Sequence, residues 1–393
     1  MSGPRPRQGS RRSTRTRASR GPSAVGRRHE VVVGPVAHGG HCVARVPDPA
    51  HERGRVVFVR HALPGERVVL EVTEGTEGDS FWRADAVEVL EPSPDRVEAP
   101  CPVAGPGLCG GCDLQHVALP AQRDQKAAVV REQLQRLAGL EVPVVVEPVP
   151  GDVDGLRWRT RQRWARTPDG RRGLRKHRSH EVVAVDDCLI THPEAREPEP
   201  GEVVETVRGR DLAVAADGFW QVHPGAPEAL VGAVLEALAP RAGESVLDLY
   251  AGVGLFSAFL AEAVGRDGRV VAVEGDAVAA SYAGRNLPDV DVLPGDVAAV
   301  LASPEAPAVA DLVVLDPPRT GAKRAVCDAV AARGPRAIAY VACDPAALAR
   351  DVALLAGHGY ALTSLRAFDL FPMTHHVECV ALLEHATPAA PGV

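Results

Sequence analysis

Two short segments carry most of the chemistry this chain can do: Asp316-Pro317-Pro318-Arg319 and Ala342-Cys343-Asp344-Pro345. Each follows an apolar run, Asp311–Leu315 and Ala337–Ala342, so both fall at the carboxyl ends of strands about one βα unit apart. Asp344 is a good N-cap and Pro345 a good first helical residue, which puts Cys343 just before a helix N-terminus. The positive end of that helix favours the thiolate. A thiolate at a strand edge can add to an electron-poor ring carbon; a buried core thiol, the reading given to Cys42, Cys327 and Cys379, is inert. The rigid prolines make a platform beside a planar base, and Asp316 can hydrogen-bond a pyrimidine edge or help fix a cofactor. Glu378 enters a late apolar strand, where a carboxylate is costly unless it is used or paired. It reads as a base for a ring-carbon proton or as an edge-strand surface charge.

A second set of acids points to a cofactor. The strand Ser245–Leu249 runs into Tyr250-Ala251-Gly252-Val253-Gly254-Leu255-Phe256, whose glycines Gly252 and Gly254 let the backbone approach a ligand at a helix N-terminus. Asp248 precedes this loop. An acid there repels a pyrophosphate and suits the ammonium and sulfonium of S-adenosylmethionine. Glu274 ends the next strand, where a carboxylate can accept both ribose hydroxyls, and Asp296 ends the unit after it, within reach of an adenine amino group. Singly, each acid reads as well as a helix cap or a solvated turn. Together, at successive strand ends, they read as a site. Cys101, Cys109, Cys112 and Cys188 offer four thiolates, which suit zinc or a [4Fe–4S] cluster equally on count. At strand period, Arg157, Arg159, Arg161 and Arg163 line one face, with Trp158 and Trp164 on the other: a phosphate-binding face or a solvated edge.

These residues need elements to position them. A chain of 393 residues exceeds one ordinary core, so two or three domains are expected. Residues 1–29 are rich in arginine, with no acid before Glu30, and read as a disordered basic arm. Residues 30–92 hold short strands (Glu30–Val33, Arg55–Val59, Glu66–Val72) between turns such as Gly39-Gly40, which fits a small barrel of OB type. Residues 93–225 begin with a Pro-rich linker and the cysteines, followed by a helix from about Pro120 to Leu137. Residues 226–385 repeat βαβ, with strands at Ser245–Leu249, Arg269–Val273, Asp311–Leu315 and Ala337–Ala342. That is the α/β class: an open, mostly parallel, Rossmann-like doubly wound sheet. Residues 386–393 are a Pro/Ala tail. The net charge of −7 argues against nucleic acid until its distribution is considered, because the arm and the arginine run concentrate positive charge. No apolar run reaches membrane-span length and no secretory segment is present, so a cytoplasmic, monomeric protein is expected, with its cysteines as ligands or nucleophiles.

The motifs Cys109-Gly110-Gly111-Cys112-Asp113-Leu114-Gln115-His116, Ser179-His180 to Cys188, Phe219-Trp220-Gln221-Val222, Asp316-Pro317-Pro318-Arg319, Cys343-Asp344-Pro345 and Glu378 together resemble the bacterial RNA 5-methyluridine methyltransferases. The branch resembled carries a TRAM domain and an iron–sulfur cluster, and the resemblance covers about residues 30–385. It implies a class I S-adenosylmethionine methyltransferase sheet, an N-terminal OB-like TRAM barrel that binds RNA, and a central iron–sulfur-binding domain. It implies a [4Fe–4S] cluster on Cys101, Cys109, Cys112 and Cys188, and cofactor contacts from Gln221, Tyr250, Glu274, Asp296 and Asp316. Cys343 matches the family nucleophile and Glu378 its base. The implied activity is methylation of uridine C5 in RNA, in large-subunit ribosomal RNA rather than tRNA, through a covalent adduct of cysteine with C6. The alternatives are the same chemistry on tRNA, an amino-group methyltransferase that needs no thiol, and a non-catalytic, metal-responsive RNA-binding protein. The chain departs from the family pattern at four places. The gap from Cys101 to Cys109 is longer than usual, Leu255 and His223 stand where Asn is usual, and Asp344 replaces the Asn beside the nucleophile. That extra carboxylate should raise the thiol pKa.

Overall fold

The computed structural model describes residues 21–49 and 52–385; the basic arm up to residue 20 and the tail from residue 386 lie outside them. The N-terminal strands are β1 (Arg28–Val32), β2 (Val36–Ala37), β3 (His41–Val46), β4 (Arg55–Arg60), β5 (Arg67–Glu74) and β6 (Phe81–Glu91). They form one six-stranded sheet in the order β1-β5-β6-β4-β3-β2. Strand alternation turns Val68, Leu70 and Val72 of β5 inward, where they meet Val57, Val59 and Trp82 in a core of their own. The β2–β3 connection is tight because Gly39 and Gly40 both take positive φ, 98° and 74°.

The central segment adds α1 (Leu119–Ala138), which has Pro120 in its first turn and a left-handed Gly139 at its end. Ala127, Val130 and Leu134 on its buried face belong to the same core as the large sheet described below. After β7 (Val146–Glu147) come the short strands β8 (Arg159–Arg161), β9 (Ala165–Arg166), β10 (Arg172–Arg175), β11 (Val182–Ala184) and β12 (Thr191–Arg196), then a hairpin of β13 (Glu202–Val207) and β14 (Arg210–Ala215).

The arginine run does not form the face its period suggested. Arg157 has φ 56°, which breaks the strand there, and only residues 159–161 pair, in parallel with β12. Arg157 is tied to Asp187 at 2.6 Å, Arg159 donates to Arg161 O at 3.0 Å, and Arg161 donates to Gly218 O. Three of the four guanidinium groups thus serve internal bonds.

The C-terminal part alternates α2 (Ala226–Leu238), β15 (Ser245–Leu249), α3 (Leu255–Val264), β16 (Arg269–Glu274), α4 (Ala277–Asn286), β17 (Asp291–Pro294), α5 (Val297–Leu301), β18 (Leu312–Leu315), α6 (Lys323–Ala331), β19 (Ala337–Ala342), α7 (Pro345–Ala356), β20 (Tyr360–Phe368) and β21 (Glu378–His385). The eight-stranded sheet has the order β17-β16-β15-β18-β19-β21-β20-β7. Its central strands are apolar and buried on both faces, as a helix-covered parallel sheet requires: β18 and β19 are buried at every position. The expected Rossmann-like α/β sheet is therefore present, with two additions. The last strand, β21, inserts antiparallel between β19 and β20, and β7 of the central segment supplies the eighth strand. A buried ion pair, Lys126 Nζ to Asp369 Oδ1 at 2.5 Å, ties α1 to the end of β20.

Candidate active site

The insertion of β21 decides the site. In the β19–β21 ladder Ala342 lies opposite Cys379. One step further along this antiparallel pair, Cys343 leaves β19 opposite Glu378, the first residue of β21. Two residues separated by 35 positions in sequence are thereby neighbours across one rung, and the bland reading of Glu378 as a surface charge does not hold: it is 4% exposed. Asp316 and Arg319, at the end of the adjacent β18, complete the cluster. Burial raises the Glu378 carboxyl well above the usual range, Asp316 raises it further, and Arg319 works against both. Burial pushes the Cys343 thiol up to about 12, with Glu378 and Asp316 adding to the rise and Arg319 opposing it. Asp316 itself is pushed up to about 7, first by burial and then by the charges of Asp248 and Glu274. It stands between the thiol on one side and the glycine-loop acids on the other.

That loop is built by the backbone. Tyr250 takes φ 65° and Gly252 58°, while the amides of Tyr250 and Ala251 both donate to Val273 O. Gly254 caps α3 at φ 92°, and a Cβ there would stand 2.4 Å from Leu287 Cδ1. Glu274 accepts from Gly252 N at 2.7 Å and from Asp276 N at 2.6 Å, fixing its carboxylate beneath the loop. Asp296 caps the short α5 through Ala299 N at 3.0 Å, and its charge also reaches Tyr250. Asp248 is wholly buried; its Oδ2 accepts from Ser257 N and Oγ at 2.9 and 2.5 Å and so pins the first turn of α3, while Oδ1 has no hydrogen-bond partner among the described residues. Gln221 is half-buried on the segment between β14 and α2. Tyr250, Gly252, Gly254, Glu274 and Asp316 thus gather at the carboxyl ends of β15, β16 and β18, which is where an α/β sheet binds ligands.

On the other side of the thiol a cavity of about 140 Å³ opens. Its wall includes Arg319 after β18 and His376 before β21, Gln125 and Lys126 from α1, and the β2–β3 turn of the N-terminal sheet, His38 to Gly40. The part played by His38 was not legible in the sequence, where Gly39-Gly40 marks only a turn. Its Nε2 lies 3.1 Å from Asp344 Oδ2.

The four candidate cysteine ligands come together from separate segments. Burial raises Cys101, Cys109 and Cys112, and the charge of Cys188 raises each of them further, Cys112 to about 12. Gly111 N donates to Cys109 Sγ at 3.4 Å and Gln115 Nε2 to Cys112 Sγ at 3.3 Å. Yet among the described residues no three Cys, His, Asp or Glu side chains converge closely enough to hold a metal ion. The expected four-cysteine centre is therefore not formed by the described side chains as they stand. Among the described residues, too, no helix is long and apolar enough to cross a membrane.

The family model described as tRNA (Uracil-5-)-methyltransferase matches residues 308–386, and the TRAM domain model matches residues 22–84. A Streptomyces avermitilis protein named as an RNA methyltransferase is 45% identical over 94% of this chain and 100% of its own length. The 23S rRNA (uracil(1939)-C(5))-methyltransferase of Pseudomonas aeruginosa is 33% identical over 93% of this chain and 96% of its own. Among solved structures, the tRNA (uracil-54, C5)-methyltransferase of Pyrococcus abyssi, in complex with S-adenosyl-L-homocysteine, superposes with a TM-score of 0.66 over 90% of this chain and 100% of that one. At 21% identity that likeness is one of fold.

Proposed function

This chain belongs to the S-adenosylmethionine-dependent RNA (uracil-C5)-methyltransferases, and we propose that it methylates a uridine of large-subunit ribosomal RNA with Cys343 as covalent nucleophile and Glu378 as base. The observation that carries this reading is the β19–β21 register, which sets Cys343 opposite Glu378 beside Asp316 and Arg319.

Uracil C5 is too poor a nucleophile to take a methyl group directly. The Cys343 thiolate adds to C6, and the electron pair of the C5–C6 double bond moves onto O4 as an enolate. The Tyr250–Gly254 loop would hold S-adenosylmethionine, which when bound would supply the methyl group that C5 takes, leaving S-adenosylhomocysteine. Glu378 removes the C5 proton, the C5–C6 double bond re-forms, and the C6–S bond breaks to release 5-methyluridine and the thiolate. Glu378 passes its proton to solvent.

The electrostatics of the free protein work against the first step and favour the last. Thiol and carboxyl are both pushed toward their neutral forms in the free protein. A carboxylate with a raised pKa is a stronger base for a carbon acid once it is ionised. Arg319 is the cation that already favours the thiolate.

Gln221, Tyr250, Gly252, Gly254, Glu274, Asp296 and Asp316 would hold the cofactor. The TRAM domain and the ribosomal RNA methyltransferase of Pseudomonas aeruginosa support RNA, and ribosomal RNA before tRNA, as the substrate. Cys101, Cys109, Cys112 and Cys188 would hold a [4Fe–4S] cluster. Their shared neighbourhood and the N–H donors aimed at two of their sulfurs support that assignment. The reading makes the protein a cytoplasmic monomer.

The test is direct. Wild-type protein should form a denaturation-stable adduct with 5-fluorouridine RNA, because fluorine at C5 cannot leave as a proton. Cys343→Ala should form none and should lose methylation while keeping its S-adenosylmethionine affinity within about threefold. Methylation by Cys343→Ala would remove Cys343 from the mechanism.

A further inference from the structure

Arg319 is the cation set against the two acids, Glu378 and Asp316, that act on the Cys343 thiol. Both Arg319 and Cys343 line the cavity. Little holds the arginine side chain. Among the described residues its guanidinium makes one hydrogen bond, to His376 Nε2 at 3.3 Å, and no ion pair. The place of this cation is therefore set by the backbone that carries it.

That backbone is a tight turn. Gly321 N donates to Pro318 O at 2.8 Å, with Gly321 at φ 79°. Lys323 takes φ 68°, a conformation that a non-glycine residue keeps only where its surroundings impose it. Asp351 imposes it here. Its Oδ2 accepts from Ala322 N at 2.6 Å, and Lys323 N donates to both of its oxygens at 3.3 Å. The same Oδ2 accepts from Tyr340 Oη at 2.6 Å. Tyr340 lies on β19, just before Cys343, and Asp351 on α7, which begins just after it. Both side chains are buried. One carboxylate thus joins the strand that ends at the thiol, the helix that follows it and the turn that carries the cation. It also supplies the start of α6 with an acceptor, which Ala322 has no side chain to provide.

We propose that Asp351 is a positioning residue: it clamps the Pro318–Gly321 turn onto β19 and α7, and so sets where the Arg319 guanidinium stands relative to the Cys343 thiol. The inference rests on the reading of Cys343 as nucleophile, but its test needs no turnover.

The full-length protein is alkylated with iodoacetamide, a neutral reagent, at about pH 8.5, and modification is followed on the peptide that contains Cys343. With the thiol pushed up to about 12, the rate there follows the small thiolate fraction. Arg319→Gln should slow it about three- to tenfold. One nearby cation is worth about one to two pKa units, and a more basic thiolate recovers part of the loss as the better nucleophile. Asp351→Asn should slow it by a similar factor, although loss of a negative charge would by itself speed it. Gly321→Ala, whose new Cβ would stand 2.5 Å from Asp351 Oδ2, should do the same and covers the case in which the asparagine variant fails to fold. Arg319→Gln combined with either change should be no slower than Arg319→Gln alone, because the clamp acts through the guanidinium. An unchanged rate in either folded variant, or factors that multiply in the double variants, overturns the proposal and leaves Asp351 a cap for α6. Retained methylation by Cys343→Ala would overturn the nucleophile instead, and leaves these rates readable.

Discussion

Glu378 is costly where it sits. A carboxyl that is 4% exposed and faces Asp316 is held largely neutral, and its pKa is raised well above the ordinary carboxyl range. The sign of the linkage is the reverse of the usual acidic case: the folded state binds this proton more tightly than the unfolded one, so stability falls as pH climbs from the ordinary 4.5 toward the raised value. Glu378→Gln removes the charge and keeps the shape. It should stabilise the protein at pH 8 by about 0.5–2 kcal/mol, as neutralising a strained functional group commonly does. On the proposed mechanism it should also accumulate a covalent methylated RNA–protein adduct, since addition and methyl transfer would precede the step assigned to Glu378. Thermal unfolding at pH 5 and pH 8 and a denaturing gel with labelled RNA check both halves. Lost activity without adduct and without a gain in stability would make Glu378 a structural group.

At the scale of elements, pattern and partner compete. The arginine run reads as a strand face on period alone, but the left-handed Arg157 ends the strand, and tertiary acceptors capture the side chains. Arg159 is also partly buried with its guanidinium in the field of Cys188 and Cys112, where burial lowers its pKa and those sulfurs raise it. The expected outcome for Arg159→Gln with Arg161→Gln is therefore a loss of stability, about 1–3 kcal/mol for buried acceptors left unpaired. The salt dependence of RNA binding should be unchanged if these two guanidinium groups stay on their internal acceptors, since they then release no counterions. Denaturant unfolding and RNA titrations at two or more salt concentrations separate the two. A slope flattened by about one to two units would return these arginines to the phosphates. The glycine loop is the opposite case: its local signals were sufficient, since only glycine suits Gly254, with a positive φ and a side chain 2.4 Å from where a Cβ would be.

For the molecule as a whole, the parts are laced rather than strung. The central segment gives the sheet its eighth strand and a helix that shares its core, and the barrel turn walls the cavity at the thiol. The cysteines belong to this scale too, because Cys188 comes within electrostatic reach of Cys101, Cys109 and Cys112 only through the tertiary fold. Protein isolated without oxygen should be brown, with broad absorption near ~400 nm and about four irons per chain. Cys188→Ser should lower iron content and RNA affinity more than S-adenosylmethionine affinity. Colourless protein with one zinc per chain would keep the ligands and discard the iron.

The sequence by itself determined what depends on neighbours along the chain. Strand ends, the glycine loop, the Asp344 cap, the apolar strands of a doubly wound sheet and α1 with its terminal glycine all follow from spacing, propensity and local sterics. Cys343 could be placed at a catalytic edge because the strand before it and the helix after it are both local. Tertiary structure alone decided the rest. The antiparallel insertion of β21 sets Glu378 against Cys343, and no spacing rule carries a contact across 35 residues. The packing of α3 gave Asp248 a second part, as the acceptor that pins Ser257 through one carboxylate oxygen. The seating of the barrel turn brought His38 to Asp344. In each case the physical reason is the same: a side chain's charge and role depend on what packs against it, and packing partners distant in sequence leave no periodic trace.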